Sequence, residues 1–173
     1  MKIAVRTASM ADIESLSVIG SAAYAAEYGQ FWIDARGMAR WLEGFRQSVF
    51  SQALEDPNAR LWALECDDQI VGFSMVRMNS PNAIDGRPDG AELQKLYILP
   101  GAQGLGLGKQ AVEVAVAEVT RAGMTHLWLG VMDSANALTV YRSWGFQDLG
   151  KRRLSLPLKP GLEGMVILFK DIG

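Results

Sequence analysis

The chain has 173 residues, of which 49% are hydrophobic and 21% charged, a balance that excludes a disordered polymer and fits one ordinary globular domain. Seventeen Lys and Arg against nineteen Asp and Glu give a net charge of −2, which excludes a general nucleic-acid binder and leaves room for a local positive site at most. One cysteine, Cys66, and one histidine, His126, exclude an internal disulfide and a Cys/His metal cluster. No run of 18 apolar residues and no apolar signal-peptide core are present, so the expectation is a cytoplasmic protein of a single domain, residues 1–173.

Ile3 to Thr7 alternates apolar and polar residues and predicts a first strand. Ser9, three residues before Asp12, marks a helix start, and Ile13, Leu16, Ile19 and Ala23 continue it at helical spacing to about Glu27. An aromatic loop, Tyr28 to Trp32, follows, then a second helix over Met38 to Leu54. Arg60–Cys66 and Ile70–Met78 pattern as strands joined by Asp67-Asp68-Gln69, an antiparallel hairpin. A loop rich in Pro, Gly, Asp and Asn fills Ser80–Gly90. Glu92–Leu99 is a strand, Gly101–Gly108 a glycine-rich loop, and Leu107–Arg121 a helix whose valine- and alanine-rich face should cover a sheet. A strand from His126 to Val131, a short helix from Ser134 to Trp144, and strands near Leu149–Leu156 and Met165–Lys170 complete an α/β (α+β) domain.

The segment Gln103-Gly104-Leu105-Gly106-Leu107-Gly108-Lys109 carries the most chemical information. Glycines there permit positive φ and close approach of backbone to a ligand, and a helix N-terminus favours a diphosphate. A Walker loop fails at both ends: Gln103 stands where its first glycine belongs, and Gln110 where its hydroxyl belongs. The dinucleotide pattern G-x-G-x-x-G fails as well, because Gly104, Gly106 and Gly108 are spaced G-x-G-x-G. A plain tight turn is the competing reading.

What remains is Q-x-x-G-x-G, and with it the sequence resembles the GCN5-related N-acetyltransferase (GNAT) superfamily, whose acetyl-CoA loop reads (Q/R)-x-x-G-x-(G/A). Ala91 to Ile98 resembles that family's fourth strand, and Asn136, Tyr141 and Trp144-Gly145-Phe146 resemble its N-x-x-A-x-x-(L/F)-Y-x-x-x-G-F segment, with Thr139 in place of the alanine. The resemblance covers essentially the whole chain. It implies the GNAT fold, a mixed, mostly antiparallel sheet of about seven strands flanked by about four helices, and acetyl-CoA as co-substrate with no metal.

Residue by residue, it implies that the backbone from Gln103 through Gly104, Leu105, Gly106, Leu107 and Gly108 to Lys109 holds the pyrophosphate. Leu96, Tyr97 and Ile98 would face the thioester, a main-chain amide near Ile98 polarising its carbonyl. Asn136 would bond the pantetheine arm, and Tyr141 would protonate the departing thiolate. Arg142, and the run Lys151-Arg152-Arg153, would meet the 3′-phosphate or else stay solvated. Glu92 is the candidate base, acting through a water; capping the strand or pairing with Lys95 is its alternative role. For Tyr141 the alternative is packing on Trp144, and for Asn136 a helix cap. His126 reads as structural and Cys66 as core. Tyr28, Phe31 and Trp32 lie where the family admits its acceptor, and Glu27, Asp34 and Glu43 add negative charge on that side.

The resemblance to bacterial members acting on small amines implies a primary-amine acceptor such as a polyamine, acetylated in a ternary complex, with no nucleic-acid or membrane partner and a homodimer as the expected assembly. Rival readings are acetylation of a protein N-terminus or lysine, and a silent domain that binds CoA as a sensor. A base matters most for an alkylamine: at a pKa near 10.4 about one molecule in 2,500 is neutral at pH 7, a cost of about 4.6 kcal/mol, against about 1 kcal/mol for an α-amine near 7.8.

Overall fold

Seven strands form one sheet in the computed structural model, which describes residues 1–172. In chain order the elements are β1 (Ile3–Thr7), α1 (Ile13–Tyr28), α2 (Ala35–Leu42), α3 (Gln47–Glu55), β2 (Ala59–Cys66), β3 (Gln69–Arg77), β4 (Gly90–Ile98), α4 (Leu107–Arg121), β5 (His126–Met132), α5 (Asn136–Ser143), β6 (Gln147–Arg153) and β7 (Gly164–Asp171). The strand order is β1-β2-β3-β4-β5-β7-β6, and every neighbouring pair is antiparallel except β4 with β5. The fold is therefore the mixed, mostly antiparallel sheet that the family resemblance implies.

Two local signals work as read. Asp67 and Asp68 both take positive φ, 48° and 62°, the left-handed pair that closes a two-residue hairpin between β2 and β3. At the start of α1 the Asp12 carboxylate accepts the Ser9 N–H at 2.8 Å, and the Arg6 guanidinium grips both its oxygens at 2.9 and 3.0 Å. Arg6 hydrogen bonding holds the Asp12 carboxyl down at about 2.

The single helix expected over Met38–Leu54 is two helices, which brings the α-helices among the described residues to five. Between α2 and α3 a tight turn, Glu43–Phe45, ends with Arg46 in extended backbone (φ −62°, ψ 151°). Gly44 favours the break, and burial of Phe45 stabilises it. The Phe45 ring lies 5.8 Å from Tyr24, 6.3 Å from Phe73 and 5.2 Å from Tyr97, against the β3–β4 surface. A continuous helix would not swing that ring into the core.

The helices cover both faces. Phe45, Phe50 and Phe73 fill the α1/α3 side, while Leu107 and Ala111 of α4 meet Leu64, Leu96 and Ile98 on the other. These two layers fix the position of β4, the strand on which the site is built.

Candidate active site

β4 and β5 pair only at Gly90–His126, Ala91–Leu127 and Glu92–Trp128, and then diverge. The cause lies on the other edge of β4. Met75 pairs with Lys95 and Val76 with Leu93, so Gln94 is an extra residue, a β-bulge that bends the strand where the parallel ladder ends. Beyond it, antiparallel geometry decides which way the amides point. Leu99 N–H bonds Val71 C=O at 2.9 Å, so Phe73–Tyr97 is also a bonded pair. Leu96 and Ile98 alternate with those residues, and their N–H groups face the opening instead of β3.

The glycine loop sits at the end of this opening. Gly104 and Gly106 have φ of +79° and +90°, and Gly106 caps α4. The first main-chain helical bond is Gln110 N–H to Gly106 C=O at 3.0 Å, which leaves the amides of Leu107, Gly108 and Lys109 free to bind an anion. Gln103 Nε2–H donates to Ile98 C=O at 3.2 Å and ties the loop to the strand end. Leu107 is fully buried, so its side chain anchors the helix and only its amide reaches outward. A Cβ on Gly108 would stand 3.0 Å from the Trp144 ring, which brings the start of α4 against the end of α5. Pyrophosphate at these amides and a thioester at the Leu96 and Ile98 amides fit this arrangement, and with them acetyl-CoA.

Alongside lies a cavity of about 320 Å³. Glu92 and Tyr141, from β4 and α5, both line it, as do Tyr28 and Trp32. Glu92 also lines a second cavity, about 420 Å³, shared with Lys95 and Arg77. Burial raises the Glu92 carboxyl above its ordinary range, against two long contacts: Gln94 Nε2 at 3.4 Å and Ser80 Oγ at 3.5 Å. Lys95 does not neutralise it; its Nζ lies 4.9 Å over the Phe45 ring. Burial also raises the Tyr141 phenol, so Tyr141 stays protonated at neutral pH. Its ring is held edge-on by Trp144 at 5.6 Å and Phe146 at 5.7 Å.

Other residues fall elsewhere. Phe31 stays out of the cavity, stacks edge-on against Tyr28 at 5.8 Å, and accepts the Lys159 N–H on its carbonyl. Trp32 is a buried wall whose Nε1–H donates to Tyr24 Oη at 3.0 Å. Arg142 does not reach toward the loop with a free guanidinium; it forms a forked pair with Asp148 at 2.9 and 2.7 Å. Asn136 is exposed at the first turn of α5, whose cap position falls on Ala135. Asp34 caps α2 through Gly37 N–H at 2.8 Å and Glu43 pairs with Arg46 at 2.8 Å, so of the three acids Glu27 alone lines the cavity. Tyr24, Trp41 and Gly130 line it too and were not anticipated; the i, i+3, i+4 spacing of Tyr24, Glu27 and Tyr28 was the available signal. Cys66 ends β2 half-buried, and His126 is fully buried at the start of β5. No helix among the described residues is long and apolar enough to cross a membrane, and no group of three metal-ligating side chains occurs among them.

A strand pair splayed beside an anion-binding helix start is the framework of an enzyme class that handles CoA thioesters. The acetyltransferase (GNAT) family pattern matches residues 23–146, and the chain belongs to that family. It is 32% identical over 108 residues to an uncharacterised N-acetyltransferase of Mycobacterium tuberculosis, a match spanning 62% of this chain and 65% of that protein. It is 30% identical over 106 residues to the [ribosomal protein bS18]-alanine N-acetyltransferase of Salmonella typhimurium, spanning 61% and 66%. The crystal structure of PaiA N-acetyltransferase from Thermoplasma acidophilum in complex with coenzyme A shares the fold at a TM-score of 0.79 and 18% identity, covering 99% of each chain.

Proposed function

We propose that this protein transfers an acetyl group from acetyl-CoA directly to a primary amine of a small molecule such as a polyamine, within a ternary complex. The observation that carries this reading is the convergence of Glu92 and Tyr141, from distant parts of the chain, on one cavity at the open edge of β4.

Each group has a task. The free amides of the α4 start bind the pyrophosphate, and the Leu96 or Ile98 N–H stabilises charge developing on the thioester oxygen, an effect of about 3 kcal/mol per donor. Glu92 accepts a proton from the ammonium, through a water, and frees the lone pair that attacks the carbonyl carbon. A C–N bond forms as the C–S bond breaks, and the Tyr141 phenol supplies the proton that turns the departing thiolate into thiol. Tyr141 is restored by the second amine proton, and the proton on Glu92 leaves to solvent. Neither Cys66 nor His126 lines the cavity, so no Cys–His pair stands ready to carry the acetyl group covalently.

A second reading, acetylation of a protein N-terminal amine, is favoured by the likeness to the bS18-alanine enzymes. Free-thiol release from acetyl-CoA with alkylamines, polyamines, amino acids and short peptides separates the two. Turnover with small amines supports the proposal; turnover with peptides alone overturns its acceptor class.

A further inference from the structure

The acceptor side of the cavity holds a charge that the reaction does not use. Tyr24, Glu27 and Tyr28 occupy one face of α1 and all line the 320 Å³ cavity. Tyr97 and Tyr141 line it from β4 and α5, so all four tyrosines of the chain meet there. Trp32, Trp41 and Trp128 add indole rings to the same lining. Tyr24 is fixed in place by the Trp32 Nε1–H that it accepts at 3.0 Å and by stacking on Tyr28 at 5.1 Å.

Glu27 sits half-buried among these rings. Burial is what raises its carboxyl; no hydrogen bond or cation among the described residues opposes it. Burial raises the phenols of Tyr28, Tyr97 and Tyr141, and the Glu27 charge adds to it in each case. A carboxylate without a partner is costly in such surroundings unless a ligand supplies the counter-charge. Aromatic faces attract cations, so rings and carboxylate select the same guest. The basic side chain at this cavity, Arg152, is exposed on the edge strand β6 and forms no ion pair with Glu27.

We infer that Glu27, enclosed by tyrosines from α1, β4 and α5, is a specificity-determining residue that binds a second ammonium group of the acceptor while the first is acetylated beside Glu92. The acceptor class is then an aliphatic diamine or longer polycation. This inference rests on the acetyl-transfer reading for its reaction and on the cavity alone for its binding.

The test compares α,ω-diamines of three to six carbons with n-alkylamines of equal length, using the wild-type protein and Glu27→Gln. Diamines should exceed matched monoamines at least tenfold in kcat/KM, and Glu27→Gln should cut that preference at least tenfold, chiefly through KM. Glu27→Asp, which keeps the charge, should restore part of it. A preference that survives Glu27→Gln, or equal rates for diamines and monoamines in the wild type, overturns the inference. Calorimetric titration of the same diamines into the CoA-bound proteins separates this failure from failure of the transfer reading. Diamine binding that weakens at least tenfold in Glu27→Gln, with no amine ever acetylated, upholds Glu27 and refutes transfer. Acetylation of monoamines or peptides with no diamine preference refutes Glu27 and leaves transfer standing.

Discussion

Glu92→Gln should slow the enzyme and stabilise the protein together. The carboxylate is half-buried between two cavities with two long donors, so its folded-state pKa lies above the ordinary 4.5. The folded state therefore holds this proton more tightly than the unfolded chain, and stability falls as pH rises from 4.5 through the folded-state value. At pH 7 the charge is a net burden, which a neutral amide of the same size removes. Catalysis moves the other way. Freeing an alkylamine from its proton costs about 4.6 kcal/mol at pH 7, and a general base typically contributes about 10²–10⁴-fold. Glu92→Gln should lower kcat/KM for an alkylamine within that range at pH 7, with the gap narrowing toward pH 10 as free amine accumulates. For an α-amine acceptor the deprotonation cost is only about 1 kcal/mol, so the loss should be less than about tenfold. Thiol-release rates from pH 6.5 to 9.5 and thermal melts at pH 7 measure both. A deficit that stays constant with pH, or a lowered melting temperature, would show that Glu92 braces the strand and is not the base.

Tyr141→Phe keeps the ring against Trp144 and Phe146 but removes the proton donor; kcat should drop about tenfold or more while CoA affinity by calorimetry stays within about twofold. An unchanged kcat sinks the role. Gly106→Ala places its Cβ no closer than 3.9 Å to any neighbour, so its effect is backbone strain at φ +90°, a loss of about 1–2 kcal/mol by urea denaturation; undiminished stability would refute it. His126 is fully buried with Nε2 unpartnered, and burial lowers its pKa below the ordinary 6.5. Its neutral form is the folded one, so stability should fall as pH drops below 6.5, by up to about 1.4 kcal/mol per pH unit, and His126→Leu should flatten that slope in melts from pH 7.5 to 5.5.

The parts of the fold that were readable in advance are those governed by local chemistry. Two aspartates closing a hairpin, glycines before α4 and the alternation of β1 each depend on residues close in sequence. The break between α2 and α3 was hidden because Phe45 leaves the helix for partners on β3 and β4, and Gly44 alone does not announce that. The Gln94 bulge, which opens the site, is a mismatch of register between two strands. Arg142 looked available to a phosphate until Asp148 on the neighbouring strand claimed it. Glu27 stood among three candidate acids, and only the caps and ion pairs of Asp34 and Glu43 single it out.

Direct transfer at the splayed strands makes product stoichiometry the decisive measurement. The protein is incubated with acetyl-CoA and 1,4-diaminobutane, and free CoA, acetylated amine and intact protein mass are measured together. One monoacetylated diamine should form for each free thiol, with no mass change on the protein. An acetyl adduct on the protein, or thiol released without acetylated amine, would contradict direct transfer.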